Sequence, residues 1–131
     1  MNAWETVKET LPKIASRLSR VELRCQDAVE VIREFDGPDT LFYLDPPYLP
    51  ETRSALGTYT YEMTIAQHRE LIETITACRG MVVLSGYANQ LYDQALASWR
   101  RVEFNMPNHS GQNRKKQRRI EIVWLSPNCR E

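Results

Sequence analysis

The chain has 131 residues, of which 42% are apolar and 26% are charged. This length and composition predict one globular domain over residues 1–131 and argue against disordered, collagen-like and coiled-coil proteins. The 17 basic residues balance the 17 acidic ones, but five of the cations lie in one short segment: Arg114, Lys115, Lys116, Arg118 and Arg119. Setting these five aside leaves 12 basic residues against 17 acidic ones, a formal charge of about −5 for the remainder.

Cysteines and targeting signals indicate a reducing compartment. Cys25, Cys78 and Cys129 are odd in number and far apart, which argues against a disulfide framework and a zinc knuckle. No apolar run reaches the roughly 18–20 residues of a membrane span, and the amino terminus lacks the layout of a signal peptide. We therefore expect a cytoplasmic protein that does not cross a membrane. With only two histidines we expect no metal site.

The first part of the chain predicts two helices with a strand between them. Residues 2–19 form an amphipathic helix that Pro12 would kink or split, because apolar residues recur at steps of three and four. The face they share consists of Trp4, Val7, Leu11, Ile14 and Leu18. Residues 21–25 alternate apolar and polar side chains, which predicts a half-buried strand, and residues 28–35 predict a short helix.

The rest of the chain alternates strands with helices. Residues 40–44 are a continuous apolar run, typical of a strand buried on both faces by helices. The pattern then predicts a long loop, helices over residues 64–78 and 89–98, and strands over residues 81–84, 101–105 and 120–125. This order predicts an α/β sheet with parallel central strands, flanked by helices, in which the last two strands are antiparallel neighbours.

The most informative motif follows the buried strand of residues 40–44. Asp45-Pro46-Pro47-Tyr48 falls where open α/β sheets bind their ligands, at the carboxyl ends of the strands. The prolines stiffen the turn, so the Asp45 carboxylate and the Pro46 carbonyl can accept the two hydrogens of an exocyclic amine and free its lone pair. Tyr48 offers a face for stacking, worth about 1–3 kcal/mol per base, so a flipped base could lie beside a methyl donor. The alternative is an ordinary loop after a strand.

These residues resemble the carboxy-terminal part of Dam-like, S-adenosylmethionine-dependent DNA adenine methyltransferases. The resemblance covers essentially the whole chain and rests on residues 42–49, Thr52, Arg53, Tyr59, Tyr61, His68, Leu71, residues 84–87, residues 91–93 and residues 121–124. It implies a partial Rossmann-like sheet, mostly parallel with a final antiparallel strand. It also implies that Asp45 and Pro46 hold the target amine, that Pro47 completes the motif and that Tyr48 stacks on the base.

The resemblance further implies S-adenosylmethionine as the cofactor, contacted by Asp27, Ala28 and Asp45. Asp27 is explained nearly as well as a helix cap. The family's Gly-x-Gly turn has no counterpart, because the five glycines, at positions 37, 57, 80, 86 and 111, lie far apart. The family's first two strands and its target-recognition segment have no counterpart either. We therefore expect the sheet to close directly or to take strands from a second copy or a complementing chain.

DNA is the partner that the resemblance implies. The predicted nucleic-acid contacts are Arg53, Tyr59, Tyr61, Arg114, Lys115, Lys116, Arg118 and Arg119. If the penultimate strand runs parallel to the Asp45 strand, the cationic segment emerges at the same edge and can hold phosphates. The alternatives are a solvated hairpin tip for the cations and a local packing cluster for the tyrosines. For His68, a hydrogen-bonded position in the core is the preferred interpretation, and a catalytic role is the alternative.

The leading hypothesis is a DNA adenine-N6 methyltransferase, or a truncated form of one. One alternative is a non-catalytic module, derived from a methyltransferase, that binds nucleic acid or assembles with other chains. Another is an N-methyltransferase for RNA or for a small amine, because the motif indicates an amine on a planar ring and not the molecule that carries it.

Overall fold

Four helices and four strands make up the described part of the chain. The computed structural model describes residues 3–49, 52, 61–107 and 118–129. The elements in chain order are α1 (Ala3–Leu18), α2 (Ala28–Phe35), β1 (Leu41–Leu44), α3 (Ile65–Thr76), β2 (Met81–Tyr87), α4 (Gln90–Ala95), β3 (Arg100–Pro107) and β4 (Arg118–Leu125). Among these helices, none has the length and apolar character needed to span a membrane.

The four strands form one sheet in the order β1-β2-β4-β3. β1 and β2 are parallel, with Phe42 opposite Val82. β4 lies between β2 and β3 and is antiparallel to both. Consequently β1, β2 and β3 point in one direction and only the last strand runs against them. This confirms the predicted α/β sheet, partial and Rossmann-like, and the predicted antiparallel pairing of the last two strands.

The hydrophobic core lies on one face of the sheet. Side chains that alternate along β1, β2 and β4 point into it: Phe42, Val82, Leu84, Ile122 and Trp124. Buried residues of α2, α3 and α4 complete the same cluster, among them Ile32, Ile75 and Tyr92. The three helices therefore cover this face, because each buries an apolar stripe against it.

Asp36 joins the turn after α2 to the turn before β2. Its Oδ1 accepts hydrogen bonds from the backbone N–H groups of Arg79 and Gly80, both at 3.0 Å. These bonds favour the ionised carboxylate, and together with the Arg79 guanidinium they lower the pKa of Asp36 below its usual value. The carboxylate thus stabilises the connection between two neighbouring parallel strands.

The depressed pKa of Asp36 predicts acid sensitivity. A group whose pKa is lower in the folded state stabilises the protein above its unfolded pKa of about 3.9 and loses this contribution as the pH falls through the folded value. The midpoint temperature of thermal unfolding should therefore fall more steeply below about pH 4 for the wild type than for Asp36→Asn, because the asparagine keeps one acceptor oxygen but does not titrate. Identical pH profiles for the two proteins would contradict the assignment.

Gly80 is required by a close approach of two backbone segments. A Cβ at this position would lie 2.9 Å from the carbonyl oxygen of Thr40 and 3.0 Å from that of Gly37. Backbone atoms cannot rotate away, so Gly80→Ala should lower the free energy of unfolding by about 1–3 kcal/mol. Urea denaturation followed by circular dichroism measures this loss. Gly37→Ala is the matched control, since the nearest atom to its Cβ is the Thr40 side chain at 3.7 Å. An equal loss in both variants would contradict the explanation.

Two sequence predictions about the amino-terminal half are wrong. Residues 21–25 are not a strand and are exposed. β1 is not buried on both faces, because Leu41 and Tyr43 are exposed opposite the buried Phe42. The helix predicted over residues 2–19 is confirmed as α1, its apolar face is exposed, and Pro12 lies within it without splitting it. A strand forms only where a neighbouring strand accepts and donates its backbone hydrogen bonds. In the described residues β1 pairs with β2 alone, so no strand stands beside it to pair with residues 21–25.

Candidate functional site

Asp45 lies directly after β1, beside the carboxyl half of β2. It is exposed, and its Oδ1 accepts a hydrogen bond of 3.0 Å from the hydroxyl of Ser85. The Ser85 hydroxyl also lies 3.2 Å from the carbonyl oxygen of Leu44, so it ties the carboxylate to the end of β1. Ser85 itself is buried in β2. The carboxylate is therefore fixed by a rigid neighbour, and the Tyr48 hydroxyl also lies within hydrogen-bonding reach of it.

Tyr48 is held at both ends of its side chain. Its hydroxyl donates a 2.8 Å hydrogen bond to Oε1 of Glu121 on β4. Its ring packs against the ring of Tyr87 at the end of β2, with centroids 4.6 Å apart and an interplanar angle of 71°. Leu49, which follows, is buried in the core and anchors the turn. The tyrosine is thus fixed beside Asp45 by contacts to two strands.

The electrostatics of the turn keep Tyr48 neutral. Burial, the hydrogen bond to the Glu121 carboxylate and the nearby Asp45 carboxylate raise the pKa of Tyr48 far above its usual value. The raised pKa favours the neutral phenol, so the hydroxyl of Tyr48 acts as an uncharged donor near neutral pH. A neutral ring suits stacking against a base, because it adds no charge to the two carboxylates that already flank it.

Sequence reasoning missed two residues that shape this site, Ser85 and Glu121. Both lie within segments that carry the resemblance, residues 84–87 and 121–124, but neither was assigned a role. One sequence signal could have found them. Side chains along a strand point alternately to its two faces, and this alternation places Ser85 and Glu121 on the face that Asp45 and Tyr48 share. Tyr87, at the end of the segment 84–87, lies against Tyr48.

Asp27 caps α2, as one of the two interpretations of it expected. Its Oδ1 accepts from the backbone N–H groups of Val29 at 2.8 Å and Glu30 at 3.4 Å. Ala28 is the first residue of the helix and is exposed. A short connection joins the carboxyl end of α2 to β1, so the amino end of α2 lies at the level at which β1 ends. The structure gives no contact between Asp27 and Asp45.

The predicted nucleic-acid residues fall mostly outside the described part of the chain. This is the case for Arg53, Tyr59, Arg114, Lys115 and Lys116, and for the side chain of Arg119. Tyr61 is described and exposed. Arg118 is exposed and donates to the backbone carbonyl of Asn105 at 2.8 Å. β3 shares the direction of β1, so the connection from β3 to β4 leaves the sheet at the edge that carries Asp45.

His68 is a core residue. It is buried on α3, and its Nδ1 lies 2.7 Å from the hydroxyl of Tyr92 on α4. Burial raises the pKa of Tyr92, which favours the neutral phenol in this pair. The expectation of a hydrogen-bonded core histidine is confirmed. Among the described residues no group of histidine, cysteine and acidic side chains is arranged to hold a metal ion.

The fold and the site together define a class of protein. A mixed α/β sheet, in which β1 and β2 are parallel and β4 is antiparallel to both of its neighbours, presents Asp45-Pro46-Pro47-Tyr48 at the carboxyl end of β1, the edge at which α/β proteins bind ligands. A family model described as D12 class N6 adenine-specific DNA methyltransferase matches residues 2–114, and the chain belongs to this family. The match includes the Asp45 motif, and the predicted Dam-like resemblance is confirmed. No curated protein matches the chain.

Proposed function

We propose that this chain binds a flipped adenine at the carboxyl edge of β1 and β2 and takes part in methylation of its N6 amine. The observation that carries the proposal is the fixed pair of Asp45 and Tyr48, held by Ser85 and by Glu121. A carboxylate acceptor and a neutral ring are the two groups that recognise an amine on a planar base. Family membership supports DNA as the carrier of that base.

The residues present fit part of an S-adenosylmethionine site. Both capping bonds of Asp27 end on Oδ1, which leaves Oδ2 as an acceptor for the adenosyl amine at the amino end of α2. Asp45, at the same end of the layer, would complete the contact, with Ala28 packing beside it. Since the sequence has no Gly-x-Gly turn, a complementing chain would supply the strand and turn around the methionine part of the cofactor.

The proposed chemistry is direct displacement. When bound, S-adenosylmethionine supplies an electrophilic methyl group on its sulfonium sulfur. Asp45 would accept a hydrogen of the adenine amine and, with the Pro46 carbonyl, free the lone pair of the nitrogen for attack on the methyl carbon. The bond between methyl and sulfur would break in the same step, and the cofactor would leave as a neutral thioether. The Asp45 carboxylate also stabilises the positive charge that develops on this nitrogen. The extra proton then leaves to water, and neither a metal nor a covalent enzyme intermediate is required.

Base capture and methyl transfer are tested separately. DNA that carries 2-aminopurine at an adenine position should brighten when the chain extracts the base from the stack, and Tyr48→Ala should suppress this signal. Methyl transfer is measured as N6-methyladenine in digested DNA after incubation with S-adenosylmethionine. Calorimetry with the cofactor completes the test. If the chain shows no binding at millimolar cofactor and no base capture, the proposal is wrong.

The second candidate is a non-catalytic nucleic-acid-binding module. The shared direction of β1 and β3 favours it, because the connection that contains the cationic segment begins at the edge of the proposed base site. This function predicts DNA binding that weakens steeply with salt, survives Asp45→Ala and ignores the cofactor. RNA and small amines as methyl acceptors are distinguished by the same methylation assay with those substrates.

A further inference from the structure

We propose that Glu121 is a positioning residue that takes the hydrogen of the Tyr48 hydroxyl and so keeps the Asp45 carboxylate open to the amine of the target base. Glu121 can act in this way only if the site holds a base, so this role rests on the proposed function. Two features of the described residues support it: the aromatic surroundings of Glu121 and the position of the Tyr48 hydroxyl within reach of two carboxylates.

Glu121 is an acidic residue among apolar and aromatic neighbours. Its partners across the two adjacent strands are Tyr87 of β2 and Phe104 of β3. The other residues of β4 on the same face are apolar where they pair with β2, namely Val123 and Leu125. Glu121 is half-buried, and a carboxylate in such surroundings is costly unless it accepts a hydrogen bond. Packing alone therefore does not explain an acid at this position.

The Tyr48 hydroxyl is the donor that satisfies Glu121. Its oxygen lies 2.8 Å from Oε1 of Glu121. The Asp45 carboxylate, in the same turn as Tyr48, is also within hydrogen-bonding reach of this hydroxyl. Burial and the two carboxylates raise the pKa of Tyr48 far above its usual value, so the phenol keeps its hydrogen. Tyr48 thus faces two acceptors and has one hydrogen to donate.

The choice between these acceptors matters because Asp45 has a second task, to accept a hydrogen of the target amine. The Ser85 hydroxyl already donates to its Oδ1 at 3.0 Å. A carboxylate has room for several donors, but each one stabilises its charge and makes it a weaker acceptor for the next. The base would stack on Tyr48, so a bond from this hydroxyl would reach Asp45 from the side of the base. Glu121 removes that competitor.

The Tyr48 ring can exchange its acceptor without leaving the site. The ring of Tyr87 holds it at a centroid distance of 4.6 Å, and the buried Leu49 anchors the turn. Loss of Glu121 should therefore leave the ring in place and turn its hydroxyl toward Asp45. A merely structural role is different: the hydroxyl bond would then fix the ring, and removing either end of that bond would have the same effect.

Rates of methyl transfer by four variants separate these two roles. Glu121→Ala should be at least about tenfold slower than the wild type, because bonds to charged acceptors are the strong ones. Tyr48→Phe keeps the ring but has no hydrogen to donate, so it should stay within about threefold of the wild type. The double variant should recover to the level of Tyr48→Phe. Glu121→Gln retains an acceptor oxygen and should also stay close to the wild type.

Capture of 2-aminopurine in DNA reports the ring separately from Asp45. This base lacks the N6 amine, so its capture depends on stacking and not on the acceptor that Asp45 offers. Glu121→Ala and Tyr48→Phe should therefore both give the wild-type fluorescence signal. The matched control is Glu103→Ala on β3, because Glu103 pairs with the core residue Ile122 and lies on the opposite face of the sheet. Its capture and its rate should equal those of the wild type, and circular dichroism should show that all variants fold.

A crystal structure of Glu121→Ala tests the exchange of acceptors without any activity. The Tyr48 hydroxyl should lie within about 3 Å of a carboxylate oxygen of Asp45. If the wild type neither captures the base nor transfers methyl, the proposed function is wrong, and this distance alone decides whether Glu121 keeps the hydroxyl away from Asp45.

Several results would overturn the role of Glu121 and leave the proposed function in place. They are a wild-type rate in Glu121→Ala, a double variant that is no faster than Glu121→Ala, and a hydroxyl that turns to solvent in the variant structure. A loss in Tyr48→Phe as large as in Glu121→Ala, with reduced base capture in both, would show that Glu121 only holds the ring.

Discussion

Asp45→Asn should lower the rate of methyl transfer to DNA at least about 100-fold without altering the fold. The amide keeps the size of the side chain but replaces one acceptor oxygen with a donor, and it removes the negative charge that stabilises the amine as it becomes positive. Initial rates of methyl incorporation, under conditions in which the wild-type chain is active, measure the loss.

The matched control for this prediction is Asp39→Asn. Asp39 is exposed in the turn that precedes β1, so it carries the same change at the opposite end of the same strand. Its rate should equal that of the wild type. If Asp45→Asn retains more than half of the wild-type rate, Asp45 does not hold the reacting amine, whatever the effect on DNA affinity.

Ser85 separates orientation from charge at the same site. Ser85→Ala leaves the Asp45 carboxylate ionised but removes the 3.0 Å hydrogen bond that fixes it. A hydrogen bond to a charged group contributes about 1.5–3 kcal/mol, and part of this is recovered by water at the exposed carboxylate, so loss of this positioning residue should lower the rate about tenfold, less than Asp45→Asn does. Cysteine, which can donate weakly, should recover part of the rate.

The sequence was sufficient for the position of the motif and insufficient for the residues that hold it. Asp45 could be placed because a continuous apolar run and a pair of prolines are local signals. The bond from Tyr48 to Glu121 joins residues 73 positions apart, and the bond from Ser85 to Asp45 joins residues 40 apart. Such pairs form only when the strands that carry them become neighbours. The insertion of β4 between β2 and β3 brings Glu121 next to β2 and so within reach of Tyr48.

The periodicity of apolar residues also failed to predict burial, because it identifies an apolar face but not the surface that would cover it. The alternation over residues 21–25 and the apolar face of α1 predict sides that could be buried, but burial needs a second surface. The same limit explains β1, whose apolar run suggested helices on both faces. In each case the apolar pattern was read correctly, and the structure leaves the side chains exposed.

Trp124→Ala should lower the free energy of unfolding by about 3–5 kcal/mol. Trp124 is 1% exposed, and its ring stacks on Tyr92 with centroids 5.6 Å apart and an interplanar angle of 29°. The ring also lies over Gly86, where a Cβ would be 3.3 Å from it, so no neighbouring side chain can fill the space that alanine leaves.

A loss of this size is a large fraction of the roughly 5–15 kcal/mol by which a domain is stable, so much of the variant should be unfolded at 37 °C. Urea denaturation followed by circular dichroism measures the difference without relying on tryptophan emission. Tyr61→Ala removes another large aromatic ring from an exposed position and should stay within about 0.5 kcal/mol of the wild type. A loss below about 1 kcal/mol for Trp124→Ala would mean that the core collapses around the missing ring, and that the site above it does not depend on Trp124.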